Sequence, residues 1–322
     1  MINHHTKLKT LDLCKNKILK KDFYKTRFVD CCPECNSKKY VKYGFYNGIQ
    51  RYICKDCKRT FSKTTNSLWS YSKKDASTWI KFIELFVETK SLRFCAKKLG
   101  ISLVTAFYWR HKILHSLTLD DINLKNLKGT IHIGIAPVKE NFKGCRNLEN
   151  NIEEMYLSDE LDSTDKFVPK DTTRETIWIV AATGSDNHMA VKPAFKNNCT
   201  MRIFNEKVYP EIDKASYIVA YQNSYLKALA RKYNKLQKLY TKAHIDKKDV
   251  DLRIRYFRPN LNSLLCRFHG VATKYLERYL RYFVLLNIDK ISNCKNILLN
   301  YSVADNNFIN TDRLRLVSNY IY

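Results

Sequence analysis

The sequence predicts a multidomain α+β protein, with a short β module, then a helical module, then a larger mixed α/β domain. Three observations predict it. Two close cysteine pairs bracket an alternating aromatic stretch early in the 322 residues. Apolar residues then recur at helical spacing through about residue 117. Beyond residue 128, strand-like apolar runs come first and helical runs follow, as in a mixed sheet flanked by helices. The expected organisation is an N-terminal arm 1–27, a β module 28–70, a helical module 71–122, a mixed domain 123–290 with an acidic insert 147–165, and a C-terminal extension 291–322.

In the β module, Cys32-Pro-Glu-Cys35 is followed after eighteen residues by Cys54-Lys-Asp-Cys57. Two such knuckles let four thiolates surround one tetrahedral Zn²⁺, and the spacer suits a two-hairpin zinc ribbon. Between the pairs, YVKYGFYNGIQRYIC alternates aromatic and polar residues around an Asn47-Gly48 turn, the pattern of a β-hairpin. Structural zinc is therefore expected, with Cys31 as a bystander. Arg51, Lys55, Lys58 and Arg59 cluster about the second knuckle, where they can meet phosphates.

In the helical module, WIKFIELFVE (79–88) reads as a core-facing helix. Leu92, Cys95, Ala96 and Leu99 then share one face, Gly100 supplies a turn, and Ser102 is placed to cap a second helix. Helix, glycine turn and helix make a helix-turn-helix, whose second helix enters the major groove. On that helix Ser102, Thr105 and Tyr108 lie near the start, and Arg110, His111 and Lys112 are available for phosphate or guanine.

In the mixed domain, TIHIGIAPV (130–138), TIWIVAATG (176–184) and Tyr217 to Tyr221 read as buried strands, while ALARKYNKLQKLY (228–240) and VATKYLERYLRYFVLL (271–286) read as helices.

Charge points to the partner. Lys and Arg total 57 against 31 Asp and Glu, a net charge of +26, which predicts a polyanion and first of all double-stranded DNA. Residues 1–128 hold 27 bases and 10 acids, the remainder 30 and 21, so the footprint is sought first in the N-terminal part. The insert runs the other way, with seven acids and no base between Asn147 and Asp165, and reads as a solvated loop. No apolar run approaches the length of a spanning helix, and the first residues lack the apolar core of a signal peptide. A cytoplasmic, nucleoid-associated protein with no membrane partner is expected. Eleven cysteines without an export signal predict metal ligands and buried thiols in place of a disulfide framework.

Together these parts resemble the zinc-ribbon insertion-sequence transposases of bacteria, which carry a ribonuclease-H-like catalytic domain. The resemblance covers roughly residues 28–287 and has three anchors: the ribbon with WRHKIL (109–114), NFKG (141–144), and FHGVATKYLERYLRYF (268–283). It implies a ribonuclease-H-like fold for the mixed domain. It also implies two metal ions, about 3.5–4 Å apart, held by two Asp and a third Asn or Glu.

Carried over position by position, those ligands are missing. Counting back from NFKG puts the first Asp on Gly134 and the Glu after it on Ile135; the second Asp falls on Tyr221. From GVATKYL, the third ligand falls on Arg255, a nearby His on Arg258 and a Lys on Asn262. A cation in the third place repels a metal ion, so no Mg²⁺ is expected and catalysis is expected to be lost. Asp213, Asp246, Asp249 and Asp251 are the acids from which a displaced site would be rebuilt. The function expected is that of a catalytically inactive, transposase-derived, sequence-specific DNA-binding protein, a transcription regulator acting as a homodimer. Arg255, Arg258 and Lys274 would hold duplex phosphates in the former active-site groove. The alternatives are an active transposase or nuclease with displaced ligands, and a plasmid or phage replication initiator or architectural protein. No small-molecule substrate is inferred.

Overall fold

The computed structural model describes residues 29–46, 48–117, 127–141, 174–185, 188–197, 200–212, 215–221, 223–236, 250–268, 270–288, 291–303, 308–311 and 314. The N-terminal arm, the acidic insert and Asn47 lie outside the described residues. The chain is mixed α+β and divides into two compact units, residues 1–119 with 289–317, and residues 120–288 with 318–322. Among the described residues no helix is long and apolar enough to cross a membrane.

The first unit opens with a three-stranded antiparallel sheet in the order β1-β2-β3: β1 (Tyr40–Tyr46), β2 (Ile49–Cys54) and β3 (Thr60–Ser62). Its small core stacks Tyr40 edge-on to Tyr52 and Phe61 beside the buried Cys32 and Cys54. Three helices follow: α1 (Ala76–Val87), α2 (Leu92–Leu99) and α3 (Leu103–Ser116). Asp75, Ser91 and Ser102 start them by accepting hydrogen bonds from the backbone N–H groups of Thr78, Phe94 and Thr105. Gly100 ends α2 at φ 61°, a left-handed residue that turns the chain directly into the α3 cap. The core between them is aromatic: Trp79 stacks on Trp109 with centroids 3.8 Å apart, and Trp69 stacks on Trp79.

A segment far along the chain completes this unit. Helix α9 (Ile291–Val303) packs on α1 and α3, burying Cys294, Leu298 and Leu299. Leu68 donates its N–H to Ser302, Phe308 donates to Asn66, and Lys295 pairs with Glu84.

The second unit holds a four-stranded sheet in the order β6-β5-β4-β7. Its strands are β4 (Gly129–Lys139), β5 (Thr176–Thr183), β6 (Met189–Lys196) and β7 (Ala215–Ala220). β4 runs antiparallel to β5 and parallel to β7, and β5 runs antiparallel to β6. The helix α4 (Met201–Lys207) lies in the crossover to β7, and α5 (Ser224–Leu236) follows it. One sheet face, with Ile131, Ile133, Val180, Ala182 and Ile218, packs on Phe204, Leu226, Leu229 and Tyr233. Alternation turns His132 and Gly134 to the opposite face, against α6 (Leu252–Arg255) and α7 (Phe257–Arg267). Helix α8 (Leu276–Ile288), which carries the LERYLRYF run, packs on β6 and buries Tyr279, Leu280, Tyr282 and Phe283.

β7 pairs with β4 only as far as Ile133, after which Tyr221 donates one more N–H to the Ile133 carbonyl. β4 runs on to Lys139. That step in the sheet opens the cavity described below.

Candidate metal centre and nucleic-acid surface

The two cysteine knuckles have the same backbone geometry. Asn36 donates its N–H to the Cys32 carbonyl at 2.9 Å, and Lys58 donates to that of Cys54 at 3.1 Å. Cys32 donates to Ser37, and Cys54 to Arg59, at 2.8 and 3.0 Å. In each knuckle the residue after the second cysteine, Asn36 or Lys58, turns left-handed at φ 57° and 60°. This repeated turn brings the Sγ atoms of Cys32, Cys35, Cys54 and Cys57 within 4.8 Å of one another. Cys32 and Cys57 stand 3.6 Å apart, Cys35 and Cys54 3.5 Å. Tetrahedral thiolates around zinc at about 2.3 Å stand about 3.8 Å apart, so the four thiols fit one such ion. The Cys54 thiol is pulled down to about 6, first by the Cys57 N–H, against burial, with help from the Asp56 N–H and the Cys35 and Cys57 thiols. Cys35 is pushed up to about 12: the Ser37 N–H lowers it, but burial and the protons shared with Cys57, Cys54 and Cys32 outweigh that bond. Four thiolates crowded this closely ionise together only around a cation. Cys31, next to the first of the four in sequence, is half-buried and stands outside the cluster.

Beside this centre, Lys55, Lys58 and Arg59 are exposed, and Arg59 is ion-paired with Glu34. Arg51 lies 5.5 Å from the Tyr43 ring centroid and donates to Thr60. The outer face of β1 carries Tyr43, Phe45 and Tyr46, with Phe45 72% exposed. Sequence alternation gave no warning of three exposed aromatics in four residues. The cause is an irregularity in register between Lys42 and Phe45, where Gly44 sits at φ 65° and re-aims the side chains. A groove of about 830 Å³ in this unit is lined by Arg51, Lys73, Lys74, Tyr46, Tyr71 and a series of Ser and Thr hydroxyls.

On α3, Ser102 accepts from the Thr105 N–H at 3.0 Å, and the two hydroxyls lie 2.8 Å apart. Thr105 and Tyr108 are half-buried. The expectation that Arg110 and His111 face a duplex is corrected by their burial. Arg110 is 5% exposed with its guanidinium over the Phe86 ring, and His111 is 2% exposed beside Phe107. Lys112 is half-buried over Phe308, and burial pulls its pKa down. α1 supplies the ring that covers Arg110, and the chain after α9 supplies the one beside Lys112. The exposed surface at the helix start is Leu103 and Val104, and Val104 stands opposite the buried Ala106, Trp109 and Ile113.

In the second unit, Gly134, Tyr221 and Arg255 line one cavity of about 470 Å³ at the step beyond β7. Arg258, Asn223, Trp178, Ile135, Pro137, Ile254 and Phe257 complete it. Lys274, expected in the same groove, is not among these residues; its ammonium lies 5.2 Å from the Tyr275 ring. Asn262 is exposed on α7. A Cβ on Gly134 would meet Ile254 Cγ2 at 2.9 Å, so α6 closes over the place from which a carboxylate would project.

Of the displaced acids, Asp213, Asp246 and Asp249 lie outside the described residues. Asp251 caps α6, accepting the Arg253 N–H at 2.8 Å and the Arg253 guanidinium at 2.6 Å. Burial raises the Asp251 carboxyl, but Arg253 and the Thr183 hydroxyl hold it below its ordinary value. Asp251 also donates its N–H to His132 Nδ1 at 3.4 Å, and burial pushes His132 down.

No protein-family model matches the chain, and no solved structure matches it. An uncharacterized protein in transposable element ISH50 of Halobacterium salinarum is 29% identical over 114 residues, covering 35% of this chain and 38% of that protein. Over about a third of its length the chain is thus similar to a transposable-element protein.

Proposed function

We propose that this chain is a transposase-derived, sequence-specific DNA-binding protein that no longer cuts DNA, and that it serves as a transcription regulator. One observation carries the loss of chemistry. Gly134, Tyr221 and Arg255, reached from separate stretches of sequence, line one cavity, and among the described residues that cavity is lined by two arginines and no acid. Two-metal hydrolysis needs carboxylates there to offset the ions. Asp251, the described acid nearest in sequence to Arg255, is already held by Arg253.

The strand order, with β4 between an antiparallel hairpin and the parallel β7, supports a ribonuclease-H-like reading of the second unit. The matched knuckles support a zinc ribbon, with Cys32, Cys35, Cys54 and Cys57 holding one structural Zn²⁺ that stabilises the fold. The caps of α2 and α3 with the Gly100 turn support a helix-turn-helix. Leu103, Val104, Thr105 and Tyr108 then read bases, the two apolar side chains against thymine methyls. Lys55, Lys58 and Arg51 hold phosphates, as Arg255 and Arg258 do in the second unit. A homodimer on two half-sites, on the nucleoid, completes the proposal.

The similarity to an ISH50 protein favours a second reading, an active transposase with displaced ligands. Two assays separate the readings. Fragments of the host genome bound by zinc-loaded protein should pile up at a few promoter-proximal sites, and supercoiled plasmid with Mg²⁺ or Mn²⁺ should stay uncut. Enrichment at inverted repeats together with metal-dependent nicking would establish the transposase instead.

A further inference from the structure

We propose that the charge-reversed cavity of the second unit is a binding pocket for a single nucleotide, recognised by its phosphate and its base together. The inference rests on the reading that metal-ion chemistry has left this site.

Charge comes first. Among the described residues Arg255 and Arg258 line the cavity and no carboxylate does, a lining that suits an anion. Guanidinium groups suit phosphate because their planar N–H forks match its oxygens. A bare phosphate leaves most of the space unfilled, since the volume of about 470 Å³ is that of a small-molecule site.

Most of the other described lining residues are apolar. Trp178 is fixed by donating its indole N–H to the Asn197 carbonyl at 2.7 Å and by stacking near Phe195. Pro137, Ile135 and Phe257 continue this surface. A rigid aromatic beside an arginine pair suits a ligand with a π-face joined to an anion. Asn223 adds base-edge chemistry. Its Oδ1 is engaged as the acceptor of the Leu226 N–H at 3.0 Å, which leaves the amide hydrogens as donors toward a carbonyl or ring nitrogen. Tyr221 contributes a hydroxyl from the end of β7.

The pocket is pre-formed. Ile254 and Phe257 are buried, and Gly134 lets α6 lie directly on β4, so the walls need no ordering when a ligand enters. The nucleotide comes from one of two sources, free in solution as an effector or extruded from a DNA strand.

The test uses full-length zinc-loaded protein and calorimetric titration with each deoxynucleoside monophosphate, with inorganic phosphate, and with deoxyadenosine. One site per chain is expected, filled by at least one monophosphate below about 1 mM, with phosphate and nucleoside each weaker by about tenfold or more. Arg255→Ala with Arg258→Ala should weaken the monophosphate by about tenfold or more, and Trp178→Leu should do the same. Hydrogen exchange of the second unit's strands serves as the control that the variants remain folded. Competition with single-stranded oligonucleotides separates the sources: displacement by them assigns the site to an extruded base, and indifference assigns it to a free effector. No monophosphate binding, or binding untouched by the double arginine change, overturns the pocket. Metal-dependent nicking would instead overturn the reading beneath it, so the two failures are distinct.

Discussion

Leu298→Ala tests a contact between elements far apart in the sequence. Leu298 is fully buried on α9, more than 180 residues from the α1 and α3 helices it helps to pack. The change removes three carbon atoms, at about 0.8 kcal/mol each, or about 2.4 kcal/mol. The cavity left behind raises the cost to about 3–4 kcal/mol, because neighbours held by stacked tryptophans relax little. Against a domain stability of about 5–15 kcal/mol that is a large share. Trp69, Trp79 and Trp109 stack in the first unit and Trp178 lies in the second, so Trp178→Phe makes tryptophan emission report the first unit alone. Urea unfolding of Trp178→Phe with and without Leu298→Ala should show the emission midpoint falling while the second unit, followed by hydrogen exchange, stays unchanged. DNA affinity should fall with the midpoint at denaturing temperatures and hold at low temperature. A midpoint shift worth less than about 0.5 kcal/mol would refute the assignment of α9 to this unit, since surface changes stay within that range.

Four other outcomes follow from the same structure. Zinc assay after denaturation should give one ion per chain, and Cys57→Ser or a chelator should unfold the β module, because a structural zinc site is worth about 10–16 kcal/mol of coupled folding. Lys55→Ala should weaken every DNA sequence and flatten the salt slope by about 0.9, while Arg59→Ala should do less because Glu34 already pairs with it; Val104→Glu should abolish preference for the specific site, measured by competition against random DNA. Acid should destabilise the second unit in two steps. His132 is held below 6.5 by burial, so the unfolded chain takes up its proton first and stability rises with pH through that window. Asp251 is held below 3.8, so its contribution is present above that value and lost as pH falls through its folded value; His132→Gln should remove only the upper step in thermal melts across pH. Gly134→Asp with Tyr221→Asp and Arg255→Asn should not restore plasmid nicking and should lower the melting temperature of the second unit, since the new Cβ meets buried Ile254 at 2.9 Å and overpacking costs about 1–3 kcal/mol.

Local rules carried the sequence reading furthest. The Cys32 to Cys57 spacing is a statement about four atoms around one ion, and the knuckles bring those atoms together. Ser102 and Gly100 were legible because caps and left-handed turns depend on residues close in sequence. What escaped depends on distant chain. Arg110 and His111 sit at positions that look exposed on an isolated helix, and they are buried, Arg110 against Phe86 of the sequence-distant α1 and His111 beside Phe107. Strands β4, β5 and β7 were visible as apolar runs, whereas β6, with Lys192, Pro193 and Lys196, was not. The convergence of Gly134, Tyr221 and Arg255 was expected only through the resemblance, since no local pattern links a glycine, a tyrosine and an arginine so far apart.

On the proposed reading, arginines where a metal-binding site is expected explain how binding can outlast cutting. In a two-metal nuclease the ions do two jobs: they hold the phosphate, and they generate the attacking hydroxyl while steadying the leaving oxygen. Arginine performs the first job alone, because its fork binds phosphate oxygens but stays protonated and activates no water. Losing the carboxylates without gaining a cation would leave neither ion nor grip. In the proposed function Arg255 and Arg258 supply the grip, and Ile254 fills the space over Gly134 that a carboxylate would need. On the proposed reading a single substitution does not return the site to hydrolysis, since the steric closure by Ile254 and the charge of Arg255 oppose a metal independently. The same two features favour a polyanion that is held and left intact, which is what a regulator on DNA requires.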